Sequence, residues 1–525
     1  MQEQLTELTQ TQTLVPRDYQ VTGIDYLTTP RVKHNINDDF PTLCRAMLTD
    51  APGAGKTLQA MLAATKKLSQ THATLVICPA HLVKQWYNDI LRQFPDDHIV
   101  SVEGSAKYTY LRMSNIDWLI VSTQSLSSAK LVEATTKSVI TNHVHVAIID
   151  ESHYLKNASA KRSIAVRKLC RPDFIPHCFL LTATPIIREA NDLYSQLRII
   201  DPLSFHSFDS FLNKYCWFTY SSYGPQNVSL KTGHYAAHKL LEGTHPTEKS
   251  ANYYQAPDGT VTQGWMLGRS YAQIGLSLPP IIPPPNSPDA LVSIPLPRQL
   301  RNAYDDIKTF WQHSITSDDG SKHAVLTTSN AMEVMHLLRA LTNCEEKRSK
   351  LISYLETDPG PFLIGCFYKR SVSQLCIALT EAGYNPILVT GDVPADIRPS
   401  VAKSAVSPRD VVVATISSIT EGCNLSHLNT VLFYEEDYTP GKMYQFMSRV
   451  RRHRDADPNS QPLDQIAITT DDQGTFHLEL PYDANETPVI CRYFHAANTI
   501  DERIHAVQSN RAVNIKDIVK VELAS

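Results

Sequence analysis

With 525 residues the chain exceeds what one hydrophobic core usually supports, so two large domains are expected. Its 42% apolar and 19% charged composition is that of an ordinary globular protein, and a formal net charge of −4 speaks against a polycationic coat on bulk nucleic acid, though not against binding in a basic cleft. Ten cysteines without one CxxC pair speak against zinc modules and a disulfide framework, and no apolar run approaches the roughly 20 residues that span a bilayer. No membrane partner is expected, and the expected compartment is intracellular and reducing, with cytoplasm and nucleus both open.

Residues 1–14, MQEQLTELTQTQTL, lack the basic start and apolar core of a signal peptide and read as a disordered polar lead-in. Over 15–205 short apolar runs alternate with helical segments. Residues 44–48 could end a buried strand, and LVIC at 75–78, WLIVS at 118–122, VAIID at 146–150 and FLLT at 179–182 read as buried parallel strands. Such strands with helical crossovers make a doubly wound layer. Residues 206–297 are rich in Tyr, Gly, Ser and Pro, with LPPIIPPPNSP at 278–288, and fit an insertion or connecting arm. Helical character returns over 298–355, clearest in LRNAYDDIKTFW and MEVMHLLRAL. A second strand series fills 356–525: FLIGCF at 362–367, PILVT at 386–390, VVVAT at 411–415, TVLFY at 430–434 and VICRYF at 489–494, then an amphipathic helix near 500–509. The predicted fold class is α/β, with two doubly wound domains in tandem and helical or irregular insertions.

Chemistry concentrates at a few strings. DAPGAGKT at 50–57 lies between a strand end and a helix marked by Leu58, Met61, Leu62, Thr65 and Leu68. Gly53 and Gly55, with Ala54 between them, let backbone N–H groups turn toward an anion at the helix N-terminus. Lys56 would reach the outer phosphates of a nucleotide such as ATP, and the Thr57 hydroxyl would ligate Mg²⁺. Asp50 stands where the standard loop has its first glycine. At the carboxyl end of VAIID, Asp150 suits a magnesium ligand and Glu151 a general base, although an Asp-Glu pair alone reads equally as a solvated acidic turn. Thr182 and Thr184 in LLTATP could bridge a hydrolytic site to a substrate groove, the bland reading being a strand end turning at Pro185. On one helix Gln445, Arg449 and Arg452 would share a face at i, i+4 and i+7, two guanidiniums able to stabilise a transferring phosphoryl group. The competing reading of that string is a plain basic patch. Cys170 and Cys178, flanking His177, read as packing rather than a metal site.

Taken in order, these strings resemble superfamily 2 helicase-like ATPases, in particular their SWI/SNF-like branch of double-stranded DNA translocases. The resemblance runs from about Val15 to Ile518. VPRDYQVTGIDYL at 15–27 resembles the branch's opening motif and implies that Gln20 lies near the adenine; DAPGAGKT resembles its first ATPase motif, in which an Asp commonly stands at the position of Asp50. LVICPAHLVKQW at 75–86 is similar to motif Ia, with Lys84, Gln85 and Trp86 as groove-side or packing elements and Trp86 as core. DESHYLKN at 150–157 resembles motif II, with Ser152 where Ala is usual, and LLTATPI at 180–186 resembles motif III. SFDSFLNKY at 207–215 and SIPLPRQLRNAYDDI at 293–307 are similar to segments bordering the branch's insertions. FLIGCFYKRSVSQL resembles motif IV, and residues 411–440 resemble motif V with its closing Asp437 and Pro440, departing by Ser417, Ser418 and Thr420 where glycine is common. QFMSRVRR resembles motif VI, and FHAANTIDERIHAVQSNR the C-terminal signature.

The resemblance implies two RecA-like lobes and a DNA-dependent ATP hydrolase with ATP and Mg²⁺ as cofactors. Lobe one would bind the nucleotide, Arg449 and Arg452 of lobe two would complete the site, and lobe closure would become the mechanical stroke. Thr123, Thr182, Thr184 and Thr415 are the implied contacts to nucleic-acid phosphates, giving sequence-independent, salt-sensitive binding. The expected partner is double-stranded DNA, with proteins bound on it as further partners. A strand-separating DNA or RNA helicase and an ATP-gated protein-assembly switch are the rival readings. The small accessory regions resemble viral, phage or bacterial members more than large chromatin remodellers.

Overall fold

A computed structural model describes residues 13–508, except 34, 36, 39–41, 66–71, 105–106, 188, 222–223, 232–240, 243–253, 256–260, 263, 277, 286, 311, 317–322, 328–330, 359, 395–396, 420–422, 452–466, 471–475, 480–487 and 507. The expected lead-in at 1–14 therefore lies almost wholly outside the described residues. Two compact units adjoin in sequence at Gly275 and Leu276.

In the first unit, β1 (Arg45–Leu48), β2 (Thr74–Cys78), β3 (Ile99–Val102), β4 (Trp118–Ser122), β5 (Val146–Ile149) and β6 (His177–Leu181) form a sheet ordered β3-β4-β2-β5-β6-β1, every pair parallel. Most of these strands are buried along their whole length, which is why they read as continuous apolar runs. β3 is the exception, alternating half-buried and buried residues as an edge strand does. Arg45 opens β1 without reaching solvent: its guanidinium donates to the carbonyls of Cys170, Ile175, Pro176, Ile199 and Ile200, tying the segments on either side of β6 to the strand. Cys170 and Cys178 are buried and hydrogen-bonded to each other, with Arg45 beside them.

The segment expected as one connecting arm, 206–297, is divided between the two sheets. A helix at Phe208–Tyr215, capped by the Ser207 side chain on Ser210 N, leads into the hairpin β7 (Cys216–Ser221) and β8 (Gly224–Leu230). Then β9 (Leu241–Glu242), the ribbon β10 (Tyr254–Gln255) and β11 (Val261–Thr262), and β12 (Met266–Leu267) follow. β12 adds to the free edge of β1, and β9 adds to β12, both parallel.

In the second unit, β13 (Ile281–Ile282) and β14 (Leu291–Ile294) both pair with the last strand of its sheet. Helices at Arg298–Phe310, Ala331–Thr342 and Glu345–Leu355 follow, with a hairpin of β15 (Gln312–Thr316) and β16 (His323–Thr327) after the first. The sheet itself contains β17 (Phe362–Cys366), β18 (Asn385–Val389), β19 (Asp410–Thr415) and β20 (Thr430–Phe433); after a ribbon of β21 (Ala467–Thr470) and β22 (Phe476–Glu479), β23 (Val489–Ala496) completes the order β13-β23-β20-β17-β19-β18. All pairs within it are parallel. Its alternate side chains enter two different cores: Leu363, Val412 and Val431 pack on one face, and Phe362, Ile364, Val413 and Leu432 on the other. Each unit is thus a doubly wound α/β layer, as the strand pattern predicts.

Candidate functional site

The loop after β1 turns at Gly53 (φ +80°) and Gly55 (φ +70°), then starts the helix Lys56–Ala63. Gly55 is required twice over. Its φ is left-handed, and a Cβ there would stand 2.2 Å from Gln20 Nε2. The Gln20 amide lies on the loop, donating to Ala54 O at 3.3 Å while its oxygen accepts from Arg17 N at 2.9 Å. Lys56 Nζ reaches the carbonyls of Asp50 (2.7 Å) and Ala51 (3.1 Å), so the ammonium stands across the mouth of the turn.

Asp50, expected among the nucleotide-binding residues, is fully buried and faces inward. Arg269 grips it in a fork, Nε to Oδ1 at 2.9 Å and Nη2 to Oδ2 at 2.6 Å. The same guanidinium donates to Tyr19 O (2.6 Å) and Gln59 Oε1 (3.1 Å), tying the helix Asp18–Thr28, the loop and the helix Lys56–Ala63 to one cation. Backbone bonds run alongside: Met47 N to Trp265 O, Thr49 N to Leu267 O and Ala51 N to Arg269 O, at 2.7–3.0 Å. The Tyr271 hydroxyl donates to Pro52 O. The segment 265–271 is therefore a strap that carries the sheet's pairing up into the phosphate loop. Asp50 thus fastens the loop to the strap. Sequence reading missed Arg269 because it stands in a stretch without periodicity; the one usable signal was Asp50 itself, since a carboxylate inside a phosphate loop needs a cation.

β6 separates β1 from β5 in the sheet, so the loops after all three strands emerge along one carboxyl edge, where ligands bind in doubly wound sheets. Asp150 Oδ2 accepts from Trp86 Nε1 at 2.8 Å and Oδ1 from Glu151 N at 2.9 Å. Desolvation by the surrounding side chains and the neighbouring Glu151 push the half-buried Asp150 carboxyl up to about 6, against the pull of the Trp86 bond and of Lys56. Trp86 is buried, as expected of a core residue, whereas Lys84 and Gln85 are exposed.

Glu151 adopts a left-handed backbone (φ +48°) at the start of the turn Ser152–Leu155. Its Oε2 lies 3.1 Å from His153 Nδ1, which is also 3.0 Å from Thr182 Oγ1; that oxygen in turn accepts from Thr184 N at 3.1 Å. His153 thus ties the acidic turn to the end of β6 by its hydrogen bond to Thr182, with the Glu151 carboxylate close beside it. Ser152, where the resembling motif has alanine, is buried and uses its hydroxyl on Gln196 Oε1 (2.8 Å), whose amide holds Pro185 O. Thr123, Thr182 and Thr184 are all buried, and the Thr182 hydroxyl is committed to the interior.

In the second unit the helix that carries Gln445 stops short of Arg449. The helix ends at Met447, where Ser448 Oγ donates to Gln445 O, and residues 449 and 450 make i→i−3 bonds, Arg449 N to Phe446 O and Val450 N to Met447 O. Gln445 is on the helix and Arg449 on the turn, both largely buried; Arg452 lies outside the described residues. Thr415 Oγ1 pairs with Ser418 Oγ at 2.5 Å, so the serine that replaces a common glycine holds the strand-end hydroxyl; Thr420 lies outside the described residues.

Residues 19–347, well over half of the chain, match the SNF2-related domain model. The chain belongs to the SNF2-related family. Residues 346–454 match the helicase conserved C-terminal domain. Among relatives, the mouse DNA annealing helicase and endonuclease ZRANB3 is 21% identical over 416 residues, covering 78% of this chain and 36% of that protein. The Caenorhabditis elegans homolog of SWI/SNF-related matrix-associated actin-dependent regulator of chromatin subfamily A-like protein 1 is 22% identical, covering 78% and 54%. A Bacillus subtilis protein described as the uncharacterized ATP-dependent helicase YqhH is 31% identical over 160 residues, 30% of this chain and 26% of that one. This SNF2-related chain spans about a third to a half of the length of the first of these relatives. The solved Sulfolobus solfataricus SWI2/SNF2 ATPase core in complex with dsDNA is 16% identical with a TM-score of 0.38, covering 97% of this chain and 95% of its own; the family assignment rests on the sequence models.

Proposed function

We propose that the chain is an ATP-driven motor that moves along double-stranded DNA or displaces proteins bound to it. The observation that carries this reading is the set of groups on one edge of the lobe-one sheet: a strapped glycine loop with Lys56 at its mouth, and Asp150 and Glu151 in the turn after β5. Backbone N–H groups of the loop and the Lys56 ammonium bind the phosphates of ATP, and Gln20, lying on the loop, contacts the base. The half-buried Asp150, its carboxyl raised by desolvation and a neighbouring acid, is a group that a nearby cation would ionise. With the Thr57 hydroxyl it fits Mg²⁺, which when bound neutralises charge on the phosphate oxygens. Glu151, oriented by His153, takes the proton of the attacking water. Gln445, Arg449 and Arg452 are assigned the stabilisation of charge developing on the transferred phosphoryl group.

DNA as the track is supported by family membership and by the name of the ZRANB3 relative. An intracellular reducing compartment is supported by ten cysteines that are all free, nine of them buried. Among the described residues no helix is long and apolar enough to cross a membrane. The test is steady-state ATP hydrolysis with duplex DNA, single-stranded DNA, RNA and no polynucleotide. Strong stimulation by duplex DNA is expected. Equal rates in all four sink the motor, and preferential stimulation by a single strand with unwinding of a gapped duplex replaces the translocase by a helicase.

A further inference from the structure

Behind β20 of the second unit lies a cluster that the ATPase reading does not use. Glu436, three residues past β20, is buried, and its Oε1 lies 2.7 Å from His495 Nε2 and 3.0 Å from His505 Nδ1. His495 is a buried residue of β23, the strand paired with β20, and His505 lies in the helical segment 500–506 that follows. One possible ligand atom from each of the three lies within 4.8 Å of the others. The imidazole rings are 5.2 Å apart at 63°, so they approach the carboxylate from different directions rather than stacking.

We infer that Glu436, His495 and His505 form a binding site for a divalent transition-metal cation of the zinc type. Two imidazole nitrogens and one carboxylate oxygen are a donor set that zinc accepts without any thiolate. Metal-to-ligand distances of about 2.0–2.2 Å place tetrahedral ligands roughly 3.3–3.5 Å apart, so the carboxylate oxygen, now 2.7 and 3.0 Å from the two nitrogens, need draw back only by several tenths of an ångström to admit the ion between them. With both rings neutral the pocket carries the single negative charge of a buried carboxylate, which a dication offsets. Each ligand is supplied by a packed element. Arg339 Nη2 holds Glu436 O at 2.6 Å, and Tyr493 packs edge-on to His505 at 4.9 Å. His505 is the least buried of the three and marks the side open to solvent.

One detail sets the affinity. His495 Nδ1 has no hydrogen-bond partner among the described residues. Zinc-binding imidazoles are normally backed by such an acceptor, and losing it costs about 10- to 100-fold in affinity. The ion should therefore leave to a chelator and return on titration. It would clip the segment 500–506 to β20 and β23, one residue from Asp437, which accepts from Thr439 N and Lys442 at the start of the helix carrying Gln445. The site is distinct from the magnesium position assigned in lobe one.

The experiment uses untagged full-length chain, stripped with chelator and titrated with Zn²⁺ or Co²⁺ in the absence of nucleotide, with Lys56→Ala as a parallel sample that leaves this cluster intact. One equivalent of metal per chain, a cobalt d–d band of tetrahedral intensity, and a rise in Tm of about 5 °C or more at 100-fold excess over Kd are expected in both. His505→Gln should lose the band and the Tm shift with unchanged circular dichroism. Should that variant fail to fold, His505→Cys keeps a ligand, and a thiolate-to-cobalt charge-transfer band supports the site. Absence of stoichiometric metal in the wild type, or equal binding by His505→Gln, overturns it and leaves a hydrogen-bonded triad.

Discussion

In each lobe a buried ion pair joins distant parts of the chain, and the two pairs do different jobs. In lobe one Arg269 reaches Asp50, 219 residues away, and the pair sits inside the phosphate loop. In lobe two Lys347, fully buried, meets Asp501 Oδ2 at 2.8 Å across 154 residues. Asp501 also accepts from Ala496 N and Thr342 Oγ1, so this pair fastens the segment 500–506 to the end of β23. One bolt holds the chemistry and the other holds the architecture. A buried pair is weak evidence for stability, because desolvation offsets most of its attraction, but removing one partner strands a charge.

The largest effects should come from stranding those charges. Arg269→Met should cost lobe one about 3–5 kcal/mol in denaturant unfolding and weaken ATP binding more than tenfold, whereas Lys347→Met should cost lobe two as much and leave ATP binding unchanged. If both substitutions weakened ATP binding alike, the division of labour would be wrong. Replacing both partners in lobe one, Asp50→Leu with Arg269→Met, sharpens the contrast: stability should recover to near the wild-type value while nucleotide affinity stays low. Glu151→Gln should retain ATP and lower turnover by about 10²–10⁴, measured by single-turnover hydrolysis.

Acid separates the lobes by sign. Burial and Glu151 raise Asp150 to about 6, so folded lobe one binds more protons than the unfolded chain, and its stability should grow, by at most about 3 kcal/mol, as pH falls from 6 towards 4. Burial pushes Asp501 up, but Lys347 outweighs it and holds the carboxyl below the usual range. The stability Asp501 gives lobe two is therefore full above about 3.8 and is lost as pH falls through its folded value. Separate unfolding transitions followed from pH 7 to 3 should diverge in this way; parallel curves would remove the assignment. The smallest effect is Ser207→Ala, which should cost about 1 kcal/mol through loss of the cap on Ser210 N and change no activity.

Much of this fold was legible in the sequence because parallel strands buried on both faces leave continuous apolar runs, as in WLIVS and VVVAT, and the glycine loop carries its own punctuation. What escaped had physical reasons too. β9, β12 and β13 are two residues each, too short for any periodicity, and become strands only because a sheet edge awaits them. Arg269 reads as an exposed charge until the carboxylate it meets is known. The end of the Gln445 helix at Met447, where the Ser448 hydroxyl bonds the Gln445 carbonyl, is a local detail that residue spacing does not reveal. His495 and His505 stand 59 and 69 residues from the Glu436 carboxylate they share, and no spacing rule joins the three.

The indole bond from Trp86 to Asp150 turns lobe one into its own optical sensor. Of the five tryptophans, Trp86 donates to the carboxylate assigned to the cation, so ionising or coordinating that carboxylate changes the electric field at one buried fluorophore. Fluorescence of a chain retaining Trp86 alone would then report occupancy of the hydrolytic site in real time, without a label and before any phosphate is released.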